Sequence, residues 1–457
     1  MRLEALTLKL QCPACGAELA YVPVEQNEAA AGECGLLQCP CSVYPLLDGV
    51  PILRRGRLAH HTISDARIVA EGDDVAEIVT AIKGGEGLHA LVRVLSVPIC
   101  PWPLNRIGAL RRLSIREPMR SVGLSLRQRR IRRMLMRRDS LTAEDWMAAF
   151  TWHAPVAEDP FNYFFFRFGQ PRHLAALAIT SILPVSEAPV LDLACGYGHI
   201  LHTLTALGHP AVGLDQNAHQ AWVGHHYVAP GAAFVCADAD APLPFRDGAF
   251  GAAVCSDAFH YIADKARTVQ ELQRCARGPV LLATVSNALV PPIDGAELTP
   301  ARYAALFGEA RWRVTTEAEL LARYLNGQKP DLTTSVSEDA LRGEKWLSYV
   351  ITEDEALFRD HESFDRWPHL EGMEVLNLLY ERDRDGVRLR FPSPWYAVEN
   401  RALLNMLPAR IAQDDLDAGR YSPLARVGRP SRYARNRGRP LAFRAHRALG
   451  ALLSSQR

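Results

Sequence analysis

Lysine is scarce in this chain: of 52 basic residues, five are lysine and the rest arginine. Arginine-rich runs are therefore a general property of the composition, and none marks a nucleic-acid surface by itself. Charge of one sign is not in excess either, since the formal net charge is +1, so global electrostatics selects no partner. A secretory N-terminal segment is lacking, and the most apolar stretch, residues 88–104, is broken by Arg93, Pro98, Pro101 and Pro103. These absences predict a cytoplasmic protein with no membrane contact. Without a secretion signal, ten cysteines in 457 residues do not read as a disulfide framework.

The cysteines that are present are unevenly placed. Five lie within the first 41 residues, whereas Cys100, Cys195, Cys236, Cys255 and Cys275 are scattered and read as small buried side chains. Cys12 and Cys15 have the two-residue gap that lets both thiolates of one knuckle reach a tetrahedral zinc. Cys39 and Cys41 form a tighter second pair after a span able to make a hairpin, with Cys34 as a spare thiol or alternative ligand. The run that follows, "CSVYPLLDGVPIL", resembles the signature of small zinc-ribbon subunits that activate partner methyltransferases, although Cys-Pro-Cys is shorter than the usual second pair. That resemblance implies a zinc-ribbon lobe over residues 1–57, with a surface for a protein partner. Four thiolates would leave no open position, so the expected zinc is structural.

The most informative stretch is "APVLDLACGYGHILHTL", residues 188–204. Pro189 to Leu193 reads as a buried parallel strand, and the Gly196-Tyr197-Gly198 turn feeds a helix beginning near His199. A dinucleotide fingerprint needs a third glycine where Leu201 stands. Asp192, just before the turn, would repel a pyrophosphate and attract an ammonium group. The pattern favours a cationic, phosphate-free nucleoside.

Further strands carry further acids. "AVGLDQN" ends in Asp215, placed to accept hydrogen bonds from both ribose hydroxyls. "AAFVCADADAPLPF" ends in Asp238 and Asp240; Asp238 can accept from an adenine amino group while the Ala239 N–H reaches a ring nitrogen. A fourth strand, "GAAVCSDAFHYI", and a fifth, "GPVLLATVS", follow. In combination these segments resemble the class I S-adenosylmethionine-dependent methyltransferases over residues 185–285, in particular the small-molecule branch with an "LPF-DG-F" loop. The resemblance implies an α/β, Rossmann-like seven-stranded sheet. It also implies that Asp192, Gly196 and Gly198 hold the methionine part of S-adenosylmethionine, Asp215 the ribose, and Asp238 with Ala239 the adenine. Ala194, Gln216 and Ser256 complete the expected cofactor contacts. One departure is Gly251, where the family usually has aspartate.

Ser256 to Tyr261 should border the transferred methyl group, and His260 is the one conventional base in that run. His260 is thus the candidate catalytic residue, a packing or capping histidine being the alternative reading. Methyltransferases of exocyclic base amines share an Asn/Asp-Pro-Pro-aromatic run at this place; here it reads "SDAF", and no Pro-Cys motif for pyrimidine attack occurs. A small-molecule acceptor is therefore favoured. An RNA methyltransferase that grips its substrate with the ribbon and arginine segments is the second reading. A non-catalytic scaffold whose ribbon activates another enzyme is the third.

The expected layout places a basic helical connector at 58–150, whose apolar face, Ile131 and Leu135, packs on the next domain. A methyltransferase domain follows at 151–400, opening on the aromatic "FNYFFFRFGQ", which reads as core or as a cover for the site. Within it, residues 291–370 are expected to form a helical cap over the cleft, and a hairpin at Asp385-Gly386 to close the sheet edge. An Arg-rich tail is expected over 401–457, disordered or loosely docked from Arg420 onward, with binding of RNA or an acidic partner as the alternative reading.

Overall fold

A computed structural model describes residues 6–7, 9–61, 68–97, 116–151, 158–293 and 296–435. The N-terminal lobe is a four-stranded antiparallel sheet of β1 (Ala20–Pro23), β2 (Gly35–Cys39), β3 (Ser42–Leu47) and β4 (Val50–Pro51). Asp48 and Gly49 join the last two strands with φ of 47° and 82°, the double left-handed geometry of a two-residue hairpin turn. Next comes a second hairpin, β5 (Arg57–His61) with β6 (Ile68–Asp74), so the 58–150 segment is not helical throughout. The carboxylate of Asp74 then caps the helix Val75–Lys83 by accepting from Ala76 N at 2.9 Å. Ile78 and Ile82 on that helix, and Ile131 and Leu135 on the helix Arg116–Leu135, are buried in one core with Leu36, Leu47 and Trp146.

The central sheet contains β7 (Val190–Leu193), β8 (Ala211–Asp215), β9 (Ala233–Cys236), β10 (Ala252–Ser256), β11 (Val280–Ser286), β12 (Trp312–Thr316) and β13 (Trp346–Ile351), in the order β12-β13-β11-β10-β7-β8-β9. The five strands from β7 to β11 are parallel, and β13 and β12 are antiparallel additions. Burial on both faces explains why the parallel strands are apolar almost throughout. Strand order reverses between β7 and β10, which opens a crevice at their carboxyl ends. The expected cap at 291–370 is corrected: this segment supplies β12 and β13, two strands of the sheet itself.

Two other expectations are also corrected. The hairpin at Asp385-Gly386 exists as β15 (Tyr380–Asp383) and β16 (Gly386–Leu389), following β14 (Met373–Leu376), but it pairs with β17 (Arg410–Ala412) in a separate sheet. The first part of the Arg-rich tail is ordered: β18 (Arg426–Arg429) pairs with β14, and Tyr433 is fully buried. Its hydroxyl donates to Phe164 O at 2.8 Å and lies 2.9 Å from His199 Nε2. Residues 436–457 lie outside the described residues.

The N-terminal lobe docks along the far edge of the central sheet. Ile52 bridges Cys236, and Leu53 N donates to Cys236 O at 2.8 Å, which continues the sheet past β9. A second contact runs antiparallel to the "LPF" loop, where Gln11 N donates to Pro244 O and Arg246 N to Lys9 O. Asp48 is buried and accepts from Trp222 Nε1 at 3.0 Å and Arg138 Nη1 at 2.6 Å. Leu10, Tyr44 and Leu53 share a core with Leu191, Val235 and Phe245, so the lobe and the sheet bury apolar surface together.

Candidate active site

The crevice is lined by the turn after β7, the ends of β8, β9 and β10, and the helix Glu158–Phe165. Gly196 and Gly198 adopt φ of 55° and 81°, a conformation that favours glycine. A Cβ at Gly196 would sit 2.9 Å from the Phe164 ring, and one at Gly213 only 2.5 Å from Leu201 Cδ1 and 2.6 Å from Cys195 Sγ. Gly213 thus provides the close helix-to-strand approach for which Leu201 leaves no glycine in the helix. Gly251 is less constrained, because a Cβ there would meet Ala188 Cβ at 3.0 Å and need only a small shift of its neighbours.

Every expected cofactor residue except Gly198 lines the cavity: Asp192, Ala194, Gly196, Asp215, Gln216, Asp238, Ala239 and Ser256. Gly198 lies beneath it as the left-handed residue before the helix His199–Ala206. Asp215 ties the two turns together by accepting from Gly196 N at 2.9 Å and Asn217 N at 2.8 Å. Asp192 is raised to about 8, first by burial and then by the neighbouring Asp215. A ligand ammonium there would restore its charge. Ser256 Oγ has no hydrogen-bond partner among the described residues. The cavity therefore offers carboxylates and the unpartnered Ser256 hydroxyl to a cationic nucleoside, which fits S-adenosylmethionine.

His260 stands apart from these residues. Its ring lies between Tyr261 and Trp346, with centroids 4.0 and 5.5 Å away, and it does not line the cavity. Burial lowers it to about 4, and neither ring nitrogen has a hydrogen-bond partner among the described residues. Its surroundings are those of the packing alternative.

Among the lining residues outside the expected set are Asp257, Tyr163, Phe164 and Arg167. Asp257, in the left-handed region at φ 54°, accepts from Tyr163 Oη at 2.7 Å and Arg167 Nη1 at 2.8 Å, with Arg172 Nη1 at 3.4 Å. Burial alone would raise its pKa, but Arg172 and Arg167 bring it down to about 2. Phe164, Tyr163 and Arg167 reach over the crevice from the aromatic segment, so that segment supplies the cover. Asp257 was visible inside "SDAF" as the acid after the fourth strand, and Tyr163 and Arg167 as a pair four residues apart.

At the N-terminal lobe, the sulfurs of Cys12, Cys15, Cys39 and Cys41 all lie within 4.8 Å of one another. The Cys12–Cys41, Cys15–Cys39 and Cys39–Cys41 separations are 3.6, 3.9 and 3.5 Å. Four thiolates at about 2.3 Å from a tetrahedral metal would be about 3.8 Å apart, so the cluster fits such an ion. Cys34 points elsewhere, donating to Ala31 O at 3.3 Å, and burial pushes its thiol up to about 11.

Residues 191–282 match a family described as a methyltransferase domain. No curated protein matches the chain. Solved structures of similar fold include a TehB-like S-adenosylmethionine-dependent methyltransferase from Corynebacterium glutamicum, 16% identical over 40% of this chain and 88% of that one, with a TM-score of 0.31. Another is an S-adenosylmethionine-dependent methyltransferase from Mesorhizobium loti, at 19% identity, 38% and 95% coverage and a TM-score of 0.29. A third is a chain of a complex between a methyltransferase activator and a methyltransferase from Haloferax volcanii, at 19% identity, 43% and 98% coverage and 0.32. The matched residues run from β7 into β11 and include most of the loops that line the cavity. Among the described residues, no helix is long and apolar enough to cross a membrane.

Proposed function

We propose that the protein transfers the methyl group of S-adenosylmethionine to a small-molecule acceptor, with residues 1–57 as a zinc-stabilised lobe docked on its own catalytic domain. The observation that carries the acceptor class is the employment of the arginines. Arg127 bonds Phe150 O, Arg132 pairs with Glu28, and Arg138 with Asp48. In the tail, Arg426 pairs with Glu374, Arg429 is buried against Ala434 O, and Arg435 pairs with Asp145. These six arginines have partners within the chain, which supports the small acceptor over RNA. The aromatic cover over the crevice supports the same choice.

Methyl transfer is an in-line displacement, for which the protein's part is mainly alignment. Asp192 and Asp215 hold the cofactor's polar ends, while Tyr163, Arg167 and Tyr261 bound the space beyond the methyl group. Asp257 stays ionised and bound to its arginines, so it orients the wall and takes no proton. The lobe's edge contact with β9 supports action within the chain over activation of a separate enzyme. The test is calorimetric binding of S-adenosylmethionine to protein of assayed zinc content, followed by transfer of labelled methyl to small-molecule and RNA pools. Labelling confined to small molecules is expected. Labelling of RNA, with binding that weakens steeply as salt rises, would overturn the acceptor class.

A further inference from the structure

We infer that Arg54, contributed by the N-terminal lobe, is a positioning residue of the cofactor cavity, setting how tightly the adenosine end is held. This inference rests on the cavity being the S-adenosylmethionine site. Arg54 Nη1 donates to Gln216 O at 2.9 Å, on the loop after β8. Its Nη2 lies 3.8 Å from Asp238 Oδ2, on the loop after β9. Gln216 and Asp238 both line the cavity, whereas Arg54 stands behind them. One guanidinium therefore ties together the two loops expected to hold ribose and adenine.

The backbone around Arg54 is held from both sides. Leu53 N donates to Cys236 O at 2.8 Å, which anchors the preceding residue at the end of β9. Arg55 Nη2 lies 2.9 Å from Cys41 Sγ, which anchors the following residue to the cysteine cluster. A metal on the four cysteines leaves their thiolates with excess negative charge, which strengthens the hold on Arg55. The dipeptide is thus a short mechanical link between the cluster and the cavity. Its electrostatic role is to offset crowding of like charge: Asp238, Asp240 and Asp215 converge on the same space, and Arg54 is the cation behind Asp238. Because Asp238 is 39% exposed, solvent screens this pair and the effect is moderate.

The test compares the full-length chain with Arg54→Ala and Arg54→Lys, each assayed for zinc content and for the melting temperature of the ligand-free protein. Calorimetry then measures affinity for S-adenosylmethionine, S-adenosylhomocysteine and 5′-methylthioadenosine. Arg54→Ala is expected to weaken all three by about tenfold, with metal content and melting temperature unchanged. Arg54→Lys should recover part of the loss, because it keeps the charge near Asp238 without bridging both loops. An alanine variant that binds all three as tightly as the parent overturns the inference. So does a loss of affinity that follows metal loss or a lowered melting temperature and is not rescued by lysine. If the parent chain binds none of the three, the cofactor reading itself fails.

Discussion

Two acid-rich centres, one of thiols and one of carboxylates, stand on either side of the Arg54-Arg55 dipeptide and are built on opposite plans. The four cysteine sulfurs face one another and leave no position open. The cavity's carboxylates, Asp192, Asp215, Asp238, Asp240 and Asp257, are spread over four strand ends and surround an empty space. Only Asp257 has two buried arginines against it. A closed donor set holds its ion as part of the fold, whereas an open one gains its full complement of interactions when a ligand arrives. The difference separates a site that maintains structure from one that binds and releases.

Removing metal should have the largest effect. Structural zinc supplies about 10–16 kcal/mol of apparent binding energy in small metal-dependent folds. Chelation, or Cys12→Ser, is expected to abolish amide protection in β1 to β4 and to lower the melting temperature of the whole chain through the shared core. A chain indifferent to chelation would end the distinction between the two centres. Asp215→Ala comes next, with cofactor affinity falling about 100-fold in calorimetry, since the N–H groups of Gly196 and Asn217 lose their acceptor along with the ribose. Metal content should not change.

Asp257→Ala leaves Arg167 and Arg172 buried without their shared anion and is expected to cost about 3–5 kcal/mol in denaturant unfolding. The same change at half-exposed Asp238 should cost less than about 1 kcal/mol. The smallest effect is a pH slope. Burial and Asp215 raise Asp192 to about 8 in the ligand-free cavity, and on the proposed function its ionised form would receive the ammonium. Affinity should therefore rise with pH toward about 8 and fall again above it as the ligand's own α-amino group loses its proton. Because its folded pKa lies above the unfolded value, its ionisation destabilises the ligand-free fold progressively as pH rises from about 4 to 8. Asp192→Asn should flatten both dependences and raise the melting temperature at pH 7 while weakening binding.

The elements that could be read from sequence are those whose signal is local. The cysteine pairs lie within single turns, and β7 to β11 each carry an apolar run followed by a turn or an acid. Asp192 and Asp215 lie at or just before strand ends and Asp238 two residues past one, where the sheet's switch point brings them together. The strands β12 and β13 escaped because "WRVTT" and "WLSYVI" carry no motif and are antiparallel pieces inside an irregular stretch. The pairings of the arginines were hidden for the opposite reason. Their partners are remote, Glu28 lying 104 residues from Arg132 and Asp48 90 from Arg138, and composition does not reveal such pairings. His260 lies on the right loop between Ala258 and Tyr261, which both line the cavity, and spacing does not show which side chain of such a loop turns away from it.

The lobe's edge contact also has a consequence for biosynthesis. Arg54 and its acceptor Gln216 are 162 residues apart. At about 5–20 residues per second on a ribosome, roughly 8–32 s pass between their syntheses. During that interval the cysteine knuckles are already made, while the strand edge that will cover β4 and Leu53 does not yet exist. Metal capture can thus precede docking, which would give the nascent lobe a folded state of its own and keep its unpaired edge from meeting other chains before β9 arrives.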